Sequence, residues 1–442
     1  MANLGASPET TKTVLVLGAY GLIGSGIAQR LARDGHNIIG FGRDIDTGRR
    51  VLPNIDWVTG DLRSLTDDAA WAPFLSDIDV VVNCSGALQD GPADDLEAVH
   101  HHAIAALARA CALTDAKIIQ ISATGVQLDA STPFLASKAR GDTAIQNSGA
   151  RHVIFRPGLV LAQNSYGGST LLRMLAAIPI VQPIALPDAK IQTVGLDDVA
   201  EAVSAAVTDK IPDGFVGDLV ETDIHSLRDL VISIRHWLGF APAKREIVIP
   251  DSLTGVLSKI ADRLALLQWR SPVRTTALTV LNEGVTGTPE DLRSFGVPAV
   301  KSLSQTLAHM PARVEDRLFA RMSLLTPILI ATLVVFWALS GLIGFIRVNE
   351  AAHVLENVGW PQALAVASVL FWAVVDIGIA AAFAYRPWAK SACWLAIGVS
   401  LFYLGASTLF VPGLWLDPLG PLIKVCPGIA LALVARVALE TR

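Results

Sequence analysis

The sequence predicts an α/β domain built on a doubly wound parallel sheet with a small mixed lobe, followed by an all-α four-helix transmembrane bundle. Three observations predict this. Short apolar runs alternate with helical segments over residues 13–195, the pattern of a parallel sheet covered on both faces. Glycines at 18, 21 and 24 follow the first run directly. Beyond Arg321 the charges almost vanish. The whole chain is 52% hydrophobic and 17% charged, against roughly 45–50% and about 25% in soluble domains.

The first run, TVLVLG, is too short for a helix and β-branched enough for a buried parallel strand. Ile23, Ile27 and Leu31 then recur at helical spacing over residues 21–33. Strands are expected at 36–42, 55–61, 79–86, 116–123 and 151–158, with helices at 68–75, 96–113 and 137–147 between them. This core runs over residues 13–214. Residues 215–321 mix a helix, SLRDLVISIRHWLG, a strand, REIVIP, and further helices. They are expected to form a substrate-facing lobe.

Residues 322–346 and 391–416 carry no charge, and residues 357–385 carry only Asp376. Spanning a bilayer takes roughly 20 apolar residues, so spans are expected at about 322–346, 360–385, 391–412 and 419–439. Lys424 and Arg436 in the last can snorkel. With the N-terminal domain inside, Arg313, Arg317, Arg321, Arg386, Lys390, Arg436 and Arg442 fall on the cytoplasmic side, and only Arg347 and Lys424 outside. That asymmetry predicts a multi-pass inner-membrane protein with both termini cytoplasmic. Trp360, Trp388 and Trp415 fall near the interfaces, and small residues at Gly341, Gly344 and 378–382 would let helices approach.

A net charge of −5 and the absence of any Lys/Arg cluster exclude a nucleic-acid face. Cys84, Cys111, Cys393 and Cys426 stand far apart, and no metal site is expected. Consecutive His100, His101 and His102 would point about 100° apart on a helix and do not converge on one ion. The polar start, MANLGASPETTK, does not read as a secretory signal.

The chemistry begins at Gly18-Ala-Tyr20-Gly21-Leu22-Ile23-Gly24. Glycines between a strand and a helix allow a tight turn and a close approach to a pyrophosphate at the helix N-terminus, the Rossmann dinucleotide fingerprint. At the end of the second strand, Arg43 is placed to meet a 2′-phosphate, and Asp44 beside it to meet a ribose hydroxyl. NADP(H) is favoured over NAD(H). Asp61 and Leu62 would flank the adenine, while Cys84, Ser85 and Gly86 would line the cofactor's path.

These residues, with Gly60-Asp61-Leu62, Ser122, Lys138 and Arg156-Pro157-Gly158, resemble the short-chain dehydrogenase/reductase superfamily. The likeness is to its extended or atypical branch, the epimerase/dehydratase-like and complex I accessory-subunit-like members, over residues 13–310. The resemblance implies Ser122 and Lys138 as catalytic residues and adds Lys138, Arg156, Pro157 and Gly158 to the cofactor site. It also exposes a departure. Phe134 stands where the family has the tyrosine that exchanges a proton with substrate, and a phenyl ring can do neither half of that exchange. Ser122, Thr124 or Tyr166 could supply the proton instead, or the acceptor could be a quinone-like ring protonated by water, or the domain could bind cofactor without turnover.

Phe336-Trp-Ala-Leu-Ser-Gly341, Asp376, Pro412-Gly-Leu-Trp415 and Asp417-Pro-Leu-Gly-Pro-Leu-Ile-Lys424 resemble the DoxX-like membrane family over residues 322–442. This implies a module associated with redox or quinone chemistry. Asp376, ionisable within a span, could relay a proton or serve as an internal hydrogen-bonding group. The expected function is a membrane-anchored NAD(P)-dependent oxidoreductase acting on a quinone- or isoprenoid-like substrate. The alternative is a non-catalytic NADPH-binding structural or sensing module. Expected partners are the lipid bilayer, a membrane redox complex or a second copy of the chain.

Overall fold

The computed structural model describes residues 11–91 and 94–441; the polar start and Arg442 lie outside them. It divides into two units. One comprises Met1–Asp262 with Ser271–Arg317, the other Arg263–Arg270 with Leu318–Arg442.

The first unit is built on strands β1 (Thr13–Leu17), β2 (Asn37–Gly42), β3 (Asp56–Thr59), β4 (Val80–Asn83), β5 (Lys117–Ile121) and β6 (His152–Pro157). They form one parallel sheet together with a seventh strand, Phe215–Leu219, in the order Phe215–Leu219, β6, β5, β4, β1, β2, β3. Alternation along β1 makes the two-sided burial explicit. Val14 and Val16 face one core with Ile27 and Leu31 of helix α1 (Leu22–Arg33). Leu15 and Leu17 face the other, with Trp71 and Leu75 of the Asp68–Leu75 helix.

The sheet continues past residue 214. Phe215–Leu219 pairs in parallel with β6, from Phe215 opposite Val153 to Leu219 opposite Pro157. Its sequence, FVGDL, is too brief and mixed to read as a buried strand; the neighbouring edge of β6 decides its pairing. The small lobe is likewise discontinuous. Val181–Ile184 pairs with Arg245–Val248, and Lys190–Ile191 with His225–Ser226. Within this unit a buried ion pair joins Arg173 Nη1 to Asp316 Oδ1 at 3.1 Å, with the guanidinium 4.9 Å from the Trp237 ring centre.

Val314–Ile346, which enters the second unit at Leu318, and Gln362–Ala384 and Arg386–Phe410 within that unit are long and apolar enough to cross a membrane. The expected fourth span, 419–439, is helical only over Val425–Ala438. Its 14 residues reach roughly 21 Å at 1.5 Å per residue, less than a hydrocarbon core of about 30 Å. Pro418, Pro421 and the positive φ of Gly420 keep the preceding segment from continuing it. A short helix, Val348–Glu356, follows the first long one. A Cβ on Gly341 would lie 2.6 Å from the Ala373 carbonyl oxygen, so the expected close approach occurs there; at Gly378 a Cβ would meet open space.

Candidate dinucleotide site and its catalytic neighbourhood

The order of the strands places β1 beside β4, where connections on the two sides of β1 run in opposite directions. Crevices at such points, beyond the carboxyl ends of the strands, are where doubly wound sheets bind ligands. The glycine loop leaves β1 here. Gly18 has φ +69°, and a Cβ there would meet Ser85 Cα at 3.0 Å and the Cys84 carbonyl oxygen at 3.1 Å. A Cβ on Gly24 would meet the Gly18 carbonyl oxygen at 2.4 Å. The α1 N-terminus at Gly21 has no side-chain cap, leaving its first N–H groups to an anion. This cradle, which any side chain would fill, fits the pyrophosphate of a dinucleotide.

A cleft extends from Gly18 and Tyr20 past Gly42 and Arg43 to Asp61, Leu62 and Gly86. Tyr20 stacks on Trp57, ring centres 6.0 Å apart. Its ring lies where a Cβ on Gly42 would sit, so any larger residue there would have to displace the ring. Arg43 lines this cleft and donates from Nη2 to Asp94 Oδ1 at 3.1 Å. Asp44 is engaged elsewhere: its carboxylate caps the Ile45–Val51 helix, accepting from Thr47 N at 3.0 Å and Thr47 Oγ1 at 2.6 Å. Those bonds hold its pKa below the ordinary carboxylate value. Asp61 is bound to Arg63, whose hydrogen bond lowers the Asp61 pKa. At the end of β4, Asn83 Oδ1 accepts from Ser85 N at 3.1 Å and from Ser85 Oγ, and Asn83 Nδ2 donates to Gln120 Oε1 at 2.8 Å.

Beyond Gly86 the helix Pro133–Asn147 presents Phe134, Lys138 and Asp142 at intervals of four on one face. Lys138 is buried; its Nζ donates to the Ile121 carbonyl at 3.1 Å and lies 6.0 Å from the Phe134 ring centre. Desolvation lowers its pKa from the ordinary lysine value, opposed by Asp142. Ser122 Oγ donates to Asp142 Oδ2 at 2.7 Å, and Arg156 Nε approaches the same oxygen at 3.4 Å. The second oxygen, Asp142 Oδ1, is buried with no hydrogen-bond partner among the described residues. Burial pushes the Asp142 carboxyl above its ordinary pKa, opposed by Ser122, Lys138 and Arg156. Asp142 was not anticipated, although its place one turn after Lys138 is visible in the sequence.

Phe134 packs into an apolar cluster with Val126, Leu135, Ala139 and Val280 and lies edge-on to His100, centres 5.7 Å apart. His100 is buried and structural in its contacts. Nε2 accepts from Ala87 N at 3.0 Å, so Nδ1 donates to Ser137 Oγ at 2.9 Å. Burial drives its pKa well below the usual value, which keeps it neutral. His101 faces Glu97, and among the described residues no acidic, histidine or cysteine group gathers to hold a metal. Thr124 Oγ1 is buried and unpartnered among the described residues. Tyr166 is 44% exposed on the turn before the Gly168–Ala177 helix, its carbonyl accepting from Ser169 Oγ. Gly158 is tied to the Phe215–Leu219 strand by its N–H to Leu219 O at 3.1 Å, and a Cβ there would strike the Gln192 carbonyl oxygen.

Within the second unit, Asp376 joins three long helices. Ser340 Oγ donates to its Oδ2 at 2.6 Å and Tyr403 OH to its Oδ1 at 2.9 Å.

Residues 14–215 match the NAD dependent epimerase/dehydratase family, and residues 334–433 match the DoxX-like family. Over 128 residues the chain is 30% identical to dTDP-4-dehydrorhamnose reductase of Mycolicibacterium smegmatis, covering 27% of this chain and 34% of that protein's length. Among solved structures, gox2253 superposes with TM-score 0.51 at 18% identity, covering 68% of this chain and 97% of that one. Pal from Bacillus thuringiensis gives 0.50 at 13% identity, with the same coverages. At these identities the likeness is one of fold.

Proposed function

We propose, for a chain that joins an NAD-dependent epimerase/dehydratase-type domain to a DoxX-like membrane domain, a membrane-anchored NAD(P)-dependent oxidoreductase acting on a hydrophobic, quinone- or isoprenoid-like substrate. One observation carries it: a complete dinucleotide cradle, with Lys138 buried beside it, is covalently joined to membrane spans. Gly18, Gly21 and Gly24 would hold the pyrophosphate, Asp61 and Leu62 the adenine side, and Ser85, Gly86 and Lys138 the nicotinamide end. When bound, the nicotinamide supplies or accepts a hydride. NADP(H) is the preferred form in this reading, because Arg43 lines the adenosine end while Asp44 is engaged as a helix cap.

Ser122 is the hydroxyl best supported as proton donor: when Asp142, whose pKa burial raises, is protonated on Oδ2, its hydrogen bond with Ser122 reverses, so Ser122 can pass its own proton to substrate and take one from Asp142. The cytoplasmic face of the inner membrane suits this chemistry and agrees with the distribution of Lys and Arg. Neither nucleic acid nor metal enters this reading. The second reading is a non-catalytic, cofactor-holding module of a membrane redox complex or homo-oligomer. Phe134, packed among Val126, Leu135 and Val280, favours it.

The deciding experiment measures NADPH and NADH binding to detergent-purified protein by fluorescence, then oxidation on adding a short-chain quinone. Tight binding with quinone-dependent oxidation supports the reductase. Tight binding with no oxidation by quinones or lipid extract favours the non-catalytic module, and no binding removes both.

A further inference from the structure

The helix Asp251–Leu266 has an unusual surface for a segment outside the long spans. Leu253, Val256, Leu257, Ile260, Leu264 and, just beyond the helix, Leu267 are each between 38% and 55% exposed. At about 100° per residue all six fall within an arc of roughly 100°, one continuous apolar stripe. Ser258 and Ala261, off this stripe, are buried against protein. Asp262 also points away from it, bound to Thr275 and Arg274. Lys259 and Arg263 lie along one edge of the stripe.

The continuation of this helix identifies what covers the stripe. Residues 263–270 belong to the membrane unit. There Arg386 N donates to the Leu267 carbonyl at 3.1 Å, Trp269 Nε1 to the Ala384 carbonyl at 2.7 Å, and Gln268 Nε2 to Tyr385 OH at 3.0 Å. The Arg386 guanidinium lies 5.4 Å from the Trp269 ring centre. Ala384, Tyr385 and Arg386 form the turn between two long apolar helices, where helices of that length would leave a bilayer. The end of the helix is tied to that turn.

We propose that the Asp251–Leu266 helix is an interfacial membrane helix. Its apolar stripe dips into the acyl boundary of the leaflet, and Lys259 and Arg263 reach phospholipid phosphates at the stripe's edge. The occupant is the bilayer itself. This contact does not depend on the cofactor reaction, and its test does not require turnover.

Full-length protein is reconstituted into phosphatidylcholine–phosphatidylglycerol vesicles carrying a phospholipid with a photoreactive group near the headgroup, and labelled peptides are mapped by mass spectrometry. Adducts are expected on residues 251–267 as well as on the spans. The control is the segment around Leu113, 83% exposed on the surface of the first unit, which should stay unlabelled. Replacing two exposed stripe residues, Val256→Lys with Ile260→Lys, should reduce adducts on 251–267 by about tenfold and leave the spans labelled as before. Labelled spans with an unlabelled 251–267 segment would overturn the proposal, as would equal labelling around Leu113. Ile260→Cys pairs that form disulfide dimers in vesicles without lipid adducts would assign the stripe to a second copy instead.

Discussion

Phe134 occupies the face of the Pro133–Asn147 helix that also carries Lys138 and Asp142, with His100 against its edge. A tyrosine there would add a hydroxyl at the rim of a site that already holds a lysine with lowered pKa. Phe134→Tyr is therefore expected to raise carbonyl reduction with NADPH by about 10²–10⁴-fold, the usual range for a positioned proton donor; initial rates with a panel of aldehydes and ketones measure it. Unchanged rates would mean that the apolar cluster had turned the new hydroxyl away from the site. Asp142 offers a second measurement. Its folded pKa is raised, so between the ordinary carboxylate value and that raised value the native state binds more protons than the unfolded chain. Its contribution to stability is thus full at low pH and is lost as pH rises. Asp142→Asn removes this component, and its Tm relative to the natural protein should climb as pH rises above the ordinary carboxylate value of about 4. A pH-independent difference would remove the assignment. At the other end of the cleft, Arg43→Ala should weaken NADPH binding by about tenfold or more and leave NADH binding nearly unchanged, as removal of a charge-assisted phosphate contact does; equal losses for both would deny Arg43 a role in choosing the cofactor.

The glycine loop and α1 act as one element. With the Gly18 carbonyl only 2.4 Å from the position of a Cβ on Gly24, Gly24→Ala forces the helix away from β1. An overpacked contact of this kind costs about 1–3 kcal/mol, and the displaced N-terminus should also lose dinucleotide binding; thermal unfolding with and without NADPH reads both effects. A normal Tm with normal NADPH stabilisation would show that the loop relaxes freely. Elements whose cues lie within their own residues were legible in advance: the apolar strands, the glycine loop and the charge-free spans. Phe215–Leu219 was not, because its pairing is decided by the free edge of β6 and not by its own pattern. The Asp251–Leu266 helix carries a clear apolar periodicity, but only its surroundings reveal that the stripe faces outward.

At the scale of the whole molecule, the question is what the membrane unit contributes beyond anchoring. Asp376 ties three long helices together through Ser340 and Tyr403. Interhelical hydrogen bonds in membranes average about 0.6 kcal/mol each, so Asp376→Ala should lower stability by only about 1 kcal/mol if the group serves packing. A modest Tm decrease in detergent with quinone-linked NADPH oxidation retained is the expected outcome. A loss of oxidation by about tenfold or more at nearly unchanged Tm would instead assign Asp376 to proton handling, since so small a packing change cannot produce it.

The sequence by itself determined the order of the parts: a parallel α/β domain, a dinucleotide loop, the loss of the tyrosine at Phe134 and a run of membrane spans. These depend on local signals, namely period, glycine spacing and length without charge. The tertiary structure alone decided which distant groups meet. It set Ser122 against Asp142, 20 residues apart, and Arg173 against Asp316, 143 apart. It also brought Val280 to the cluster around Phe134 and engaged Asp44 as a helix cap. Such pairings arise when the sheet and its crossovers close, and a one-dimensional pattern cannot register them.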